Sequence, residues 1–110
     1  MAHYVVLNFD VHDAARFAEY ARQVPATRVP DMKVLVFDKD PRNLEGRSHE
    51  RLVILEFENE QSALDWYHSS GYARIAGLRR ASTIGWVRSV PQFDANGSRA
   101  RDTDLADPET

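Results

Sequence analysis

The stretch that most constrains this chain is Arg51–Arg80, RLVILEFENEQSALDWYHSSGYARIAGLRR, where an apolar strand runs into an amphipathic helix that breaks and resumes. Arg51–Glu58 reads as a strand because Val53, Ile54, Leu55 and Phe57 suit a pleated, largely buried surface. Side chains alternate across a strand, so Val53, Leu55 and Phe57 share one face, and Leu52, Ile54, Glu56 and Glu58 the other. The wholly apolar face belongs under helices, and Glu56 looks into whatever the opposite face encloses. Asn59 is placed to cap the following helix, with Glu60 at its positive end. Ala63, Trp66, Tyr67 and Ser70 lie on one side of that helix. The helix breaks at Ser69-Ser70-Gly71, after which Tyr72, Ile75, Ala76 and Arg79 repeat the spacing. Adjacent aromatics in such a pattern fit a packed core as well as a pocket wall.

Upstream, His3–Asp10 alternates as a first strand, with His3, Val5, Leu7 and Phe9 on the face expected under the helices. Asn8 then shares the opposite face with Glu56. Asp13 caps a helix whose Ala14, Phe17, Ala18 and Ala21 are expected to form the buried stripe, and Pro25 and Pro30 bracket its exit. Met32–Phe37 and Thr83–Val90 read as further strands, the latter holding Trp86 and ended by Pro91. Arg42–Glu50 between the middle strands is polar and reads as a mobile loop. The order is therefore β-α-β-β-α-β, an α+β, ferredoxin-like unit with both helices on one face of an antiparallel sheet.

Residues 1–91 are expected to form this one domain, and 92–110 a polar, acidic, flexible tail. The domain holds 12 Lys/Arg against 12 Asp/Glu, and the tail 2 against 5, so the net charge of −3 lies in the tail. A neutral domain argues against nucleic acid, which needs clustered positive charge. Without cysteine there is no disulfide, thiolate nucleophile or thiolate metal site. No apolar run approaches the roughly 20 residues of a membrane span, and the first residues lack a basic-then-apolar signal pattern. Cytoplasmic residence, without membrane contact, is the expectation. Helices covering one sheet face leave Tyr4, Val6, Leu52 and Ile54 uncovered, a patch soluble chains seldom expose, and a second copy packed sheet to sheet is the expected remedy.

Several segments are similar to those of a known family. Trp66-Tyr67-His68-Ser69-Ser70-Gly71-Tyr72 with Arg79 resembles its W-Y-x-S-x-x-Y pattern and trailing arginine, and Arg51–Phe57 its R-L-V-x-x-E-F strand. Leu44-Glu45-Gly46, Asp13 to Tyr20, and Val24-Pro25-Ala26-Thr27 resemble its L-E-G, D-x-x-x-Y-x-E-Y and V-P-x-T segments. The chain is identified as a member of the domain of unknown function 1330 family, in the dimeric α/β-barrel superfamily. That resemblance implies a homodimer whose sheets pair into a barrel. The superfamily includes cofactor-free monooxygenases, haem-degrading oxygenases and lactone isomerases, so fold alone does not select a function. The chain departs from the pattern where a glycine pair gives way to Pro30-Asp31-Met32, and an arginine-glycine-glycine to Phe37-Asp38-Lys39.

The four histidines share no metal-ligand spacing, and no metal or other cofactor is expected. His68, beside Trp66 and Tyr67 at the helix break, is a candidate base or a solvated residue at a helix end. Asn8 and Glu56 are polar groups on an inner sheet face and must find a partner, whether a ligand or a structural hydrogen bond. Together with His68 they are the catalytic candidates. The expected site is a pocket between the sheet and the second helix, near its break. Asn8 and Glu56 are expected at its polar end, with Trp66, Tyr67, Tyr72 and Trp86 as walls and Arg79 as anchor for negative charge. Three functions are open: a cofactor-independent oxygenase- or isomerase-like enzyme on a small aromatic or lactone-like molecule, a non-catalytic small-ligand binder or accessory protein, and an assembly module without a ligand.

Overall fold

The alternation of β1 (His3–Val11) becomes two unlike sheet faces in the computed structural model, which describes residues 1–94. Val5, Leu7 and Phe9 are buried under helices, as is His3, whose Nε2 meets Ser89 Oγ at 2.6 Å. The chain continues through α1 (Ala14–Gln23), a 3-10 turn (Val24–Thr27), β2 (Lys33–Asp38) and β3 (Arg51–Phe57). It closes with α2 (Glu60–Tyr67), α3 (Ser70–Ser82) and β4 (Thr83–Pro91). The four strands form one antiparallel sheet in the order β2-β3-β1-β4. This is the ferredoxin-like β-α-β-β-α-β arrangement, with the second helical segment divided in two.

The caps stand where the sequence puts them. Asp13 accepts from the Arg16 amide at 3.1 Å, and Asn59 from the Ser62 amide at 2.8 Å. The break is a single hydroxyl working both ways: Ser69 Oγ donates to the Trp66 carbonyl at 2.7 Å and accepts from the Tyr72 amide at 3.2 Å. One helix ends and the next begins on that residue, so α3 resumes at Ser70 rather than at Tyr72.

The expected stripe on α1 is corrected. Ala14, Ala18 and Ala21 are exposed, and Tyr20 is the buried residue of the helix, with Phe17 half-buried beside it. The two large rings dictate the rotation, because burying them removes far more apolar surface than three methyls would. They begin a continuous row of rings across the core. Phe9–Phe17, Phe17–Tyr20 and Tyr20–Tyr72 centroids are 5.4, 5.5 and 6.1 Å apart, and Tyr72–Trp66 and Trp66–Phe57 are 4.2 and 5.7 Å apart. Phe57, Trp66, Tyr72 and Ile75 are almost fully buried, each stabilising by roughly 1.5–3 kcal/mol or more for the larger rings.

β4 lies on β1 at close quarters. A Cβ on Gly85 would strike the Asn8 carbonyl and lie 2.6 Å from Phe9 Cα, so only glycine fits opposite Phe9. The 39–50 connection has neither helix nor strand, as expected of a loop, but its end is pinned to β1 by hydrogen bonds.

Candidate functional site

The second face of the sheet carries Tyr4, Val6, Asn8 and Asp10 of β1, with Leu52, Ile54 and Glu56 of β3 opposite them. On the other flank Ile84, Trp86, Arg88 and Val90 of β4 share that face. Among the described residues no helix covers it. Asn8 and Trp86 are register partners there, and Glu56 faces Lys33, whose Nζ is 3.9 Å from its carboxylate. Arg88 lies 5.0 Å over the Trp86 ring.

The expected pocket uniting Asn8 and Glu56 with the second helix is therefore not assembled. The alternation that places Val53, Leu55 and Phe57 under the helices sends Glu56 away from them. Asn8 is buried and fully engaged: its amide donates to the His49 and Arg51 carbonyls at 3.2 and 2.7 Å, and its oxygen accepts from the His49 amide at 3.2 Å. It clamps the entry of β3 to β1. Asp10 completes the clamp, accepting from the Glu50 amide at 2.7 Å and standing 2.9 Å from His49 Nδ1. The hydrogen bond with His49, then that amide, holds the Asp10 carboxyl below the usual carboxylate range.

On the helix side the structure does bring together Trp66, Tyr67, Tyr72 and Arg79. Arg79 is buried and forms no ion pair among the described residues. Its Nε donates to Tyr72 Oη at 3.2 Å and its Nη2 reaches Tyr67 Oη at 3.5 Å. Tyr72 Oη in turn lies 2.7 Å from Tyr20 Oη. Burial works against the Arg79 charge, but the three phenols outweigh it and its pKa is raised, so the guanidinium stays a cation. Its place in the last turn of α3 adds the favourable end of the helix dipole. Tyr20 is pushed well above the ordinary phenol range, by burial first and by Tyr72 second. It is a neutral hydroxyl at any physiological pH.

Tyr20 also lines a cavity of about 230 Å³ between α1, the 3-10 turn and the β2–β3 half of the sheet. Phe9, Phe17, Met32, Leu55 and Trp66 are among the side chains of its wall, and Arg28 is the only charged one on it among the described residues. Trp66 turns its indole N–H to Thr27 Oγ1 at 3.2 Å. A second recess of about 200 Å³ lies between α2 and the β1–β4 half of the sheet, near the helix break, lined by Tyr67, Ser89 and the exposed His68 among others. Among the described residues no group of three or more His, Asp or Glu is arranged to hold a metal ion. Tyr20, Phe17, Met32 and Arg28 were not apparent as site residues from sequence; the Phe17–Tyr20 spacing on α1 was the available signal.

The fold is shared with solved structures. A protein of unknown function from Rhodopseudomonas palustris superposes with a TM-score of 0.68 at 13% identity, over 84% of this chain and 83% of that one. The cofactor-independent oxygenase SnoaB from Streptomyces nogalater gives 0.59 at 16% identity, over 88% and 98%. A hypothetical Arabidopsis thaliana protein, solved in solution, gives 0.56 at 17% identity, over 86% and 90%. At such identities the likeness is one of fold. No curated protein matches the chain. The family described as a domain of unknown function (DUF1330) matches residues 2–93, and the chain belongs to that family.

Proposed function

We propose that the protein binds a small aromatic or lactone-like molecule in the helix-side cavity and acts on it as a cofactor-independent, oxygenase- or isomerase-like enzyme. The observation that carries this reading is the apolar cavity whose wall includes a phenol backed by a buried cation. Arg79 polarises Tyr72, Tyr72 hydrogen-bonds Tyr20, and Tyr20 borders the cavity. With Tyr72 donating to Tyr20, the Tyr20 proton is available to an oxygen of the ligand. An enolate or phenolate whose proton has passed to water is stabilised there by a hydroxyl already aligned in a site of low dielectric. Trp66 serves the ligand as part of that wall, and Tyr67, Tyr72 and Arg79 from behind it. The activity of SnoaB, a structure of like fold, supports the same class of chemistry.

The non-catalytic binder is favoured by one feature: among the described residues no carboxylate or imidazole lines the cavity. Turnover separates the two. Protein freed of metal is incubated in air with small phenols, enolisable ketones and lactones, while oxygen uptake and product masses are followed. Turnover is expected, and Tyr20→Phe should lower it about a hundredfold, the usual loss for one oxyanion donor. Binding of aromatic probes without turnover leaves the binder. No binding of any aromatic probe removes the cavity as a site.

The same reading has Asn8, Glu56 and Trp86 on a face covered by a second copy of the chain, giving a homodimer in the cytoplasm. The exposed Ile84 and Val90 and the half-buried Tyr4, Val6, Leu52 and Ile54 support it. Among the described residues no helix is long and apolar enough to cross a membrane.

A further inference from the structure

We propose that the cavity takes a small aromatic acid, with Arg28 at its mouth binding the acid group. This rests on the reading of the cavity as a ligand site and adds the class of ligand. Apart from Arg28, the wall offers aliphatic side chains and rings, and no charge among the described residues. Of its two polar groups, the Trp66 N–H is engaged by Thr27, and the Tyr20 hydroxyl, accepting from Tyr72, keeps its proton for one ligand oxygen. Beyond the one ligand oxygen that Tyr20 can meet, a charged group would find no partner there, so the inserted part is otherwise apolar. Phe9, Phe17, Tyr20 and Trp66 set four rings among the aliphatic side chains of that wall and suit a flat ring. An apolar protein cavity of about 150 Å³ holds one benzene, so about 230 Å³ suits one or two fused rings.

The charge sits at the other end. Arg28 ends the 3-10 turn in extended conformation, its amide bonded to the Pro25 carbonyl at 3.3 Å. Its Nη2 donates to the Met32 carbonyl at 3.3 Å, which fixes one corner of the fork at the cavity wall. Arg28 forms no ion pair among the described residues. The acid closest in sequence, Asp31, is committed elsewhere, accepting from Ser62 Oγ at 2.6 Å and the Glu58 amide at 3.0 Å. A guanidinium beside an apolar cavity, with most of its donors unspent, matches a planar carboxylate. Arg28 is exposed, so the expected gain is moderate and sensitive to salt.

The test measures the affinity of 2-naphthoate against 2-naphthamide, of equal shape and without the charge, by calorimetry at low salt. The acid should bind about tenfold more tightly, a difference of roughly 1.4 kcal/mol. Arg28→Gln should abolish the preference while leaving amide affinity within about twofold, which also reports an intact cavity; Arg28→Lys should retain much of it. Equal affinities in the unaltered protein, or a preference that survives Arg28→Gln, overturn the assignment and leave the cavity standing. Failure of both naphthalene compounds to bind removes the cavity reading, and this inference with it.

Discussion

At the residue scale, Asn8 shows both how far sequence reaches and where it stops. A polar side chain on an inner sheet face demands a partner, and that demand is legible. Its partners are the backbone of His49 and Arg51, some forty residues on at the end of a polar loop, and no periodicity announces them. Asn8→Ala strands those groups and should cost about 1–3 kcal/mol, read as a lower denaturation midpoint in urea. Tyr20 supplies a pH prediction. Its folded pKa is raised above the unfolded value, so the folded state keeps a proton that the unfolded state loses above about pH 10. Stability should therefore fall as pH rises beyond that point, and a delayed component of phenolate absorbance should vanish in Tyr20→Phe. Asp10 runs the other way: its lowered pKa contributes stability above the ordinary carboxylate value, lost as pH falls through the folded one.

Among elements, strands and caps were the legible part, because period-2 alternation and Asn or Asp before an apolar run act locally. The rotation of α1 was not, since it depends on which rings find space against Phe9 and Tyr72. The cavity was hidden for the same reason: Phe17, Met32, Val53 and Trp66 come from separate segments whose meeting only the packed structure defines. Two glycines make opposite predictions here. Gly85→Ala forces a methyl into the β1 backbone and should destabilise by about 1–3 kcal/mol. Gly77 lies exposed within α3 with nothing near its missing Cβ, so Gly77→Ala should stabilise by about 0.4–1 kcal/mol. Thermal melts of the pair, displaced in opposite directions, check both.

For the whole molecule, we propose that residues 1–91 form the domain; just past that boundary the Gln92 amide donates to the Ala2 carbonyl at 3.0 Å. The tail assigned to 92–110 lies mostly outside the described residues, and we propose that a chain ending at Asp94 keeps its melting temperature. The open sheet face carries the prediction of assembly. Interfaces of permanent homodimers are on the order of 2,000 Å² or more, and Ile54 sits inside the face that would supply one. Ile54→Glu should split the dimer in sedimentation at micromolar concentration, whereas Leu44→Glu, in the exposed loop, should leave it intact. A stable monomer in the unaltered protein removes the assembly.

A sheet covered on one side only has a further consequence. If its second side is closed by another copy of itself, the folded state obeys mass action, and how well one chain holds together depends on how many others are present. Dilution then acts as a denaturant: the melting temperature should climb with protein concentration, and a cell making little of this chain would hold it closer to unfolding than a cell making much.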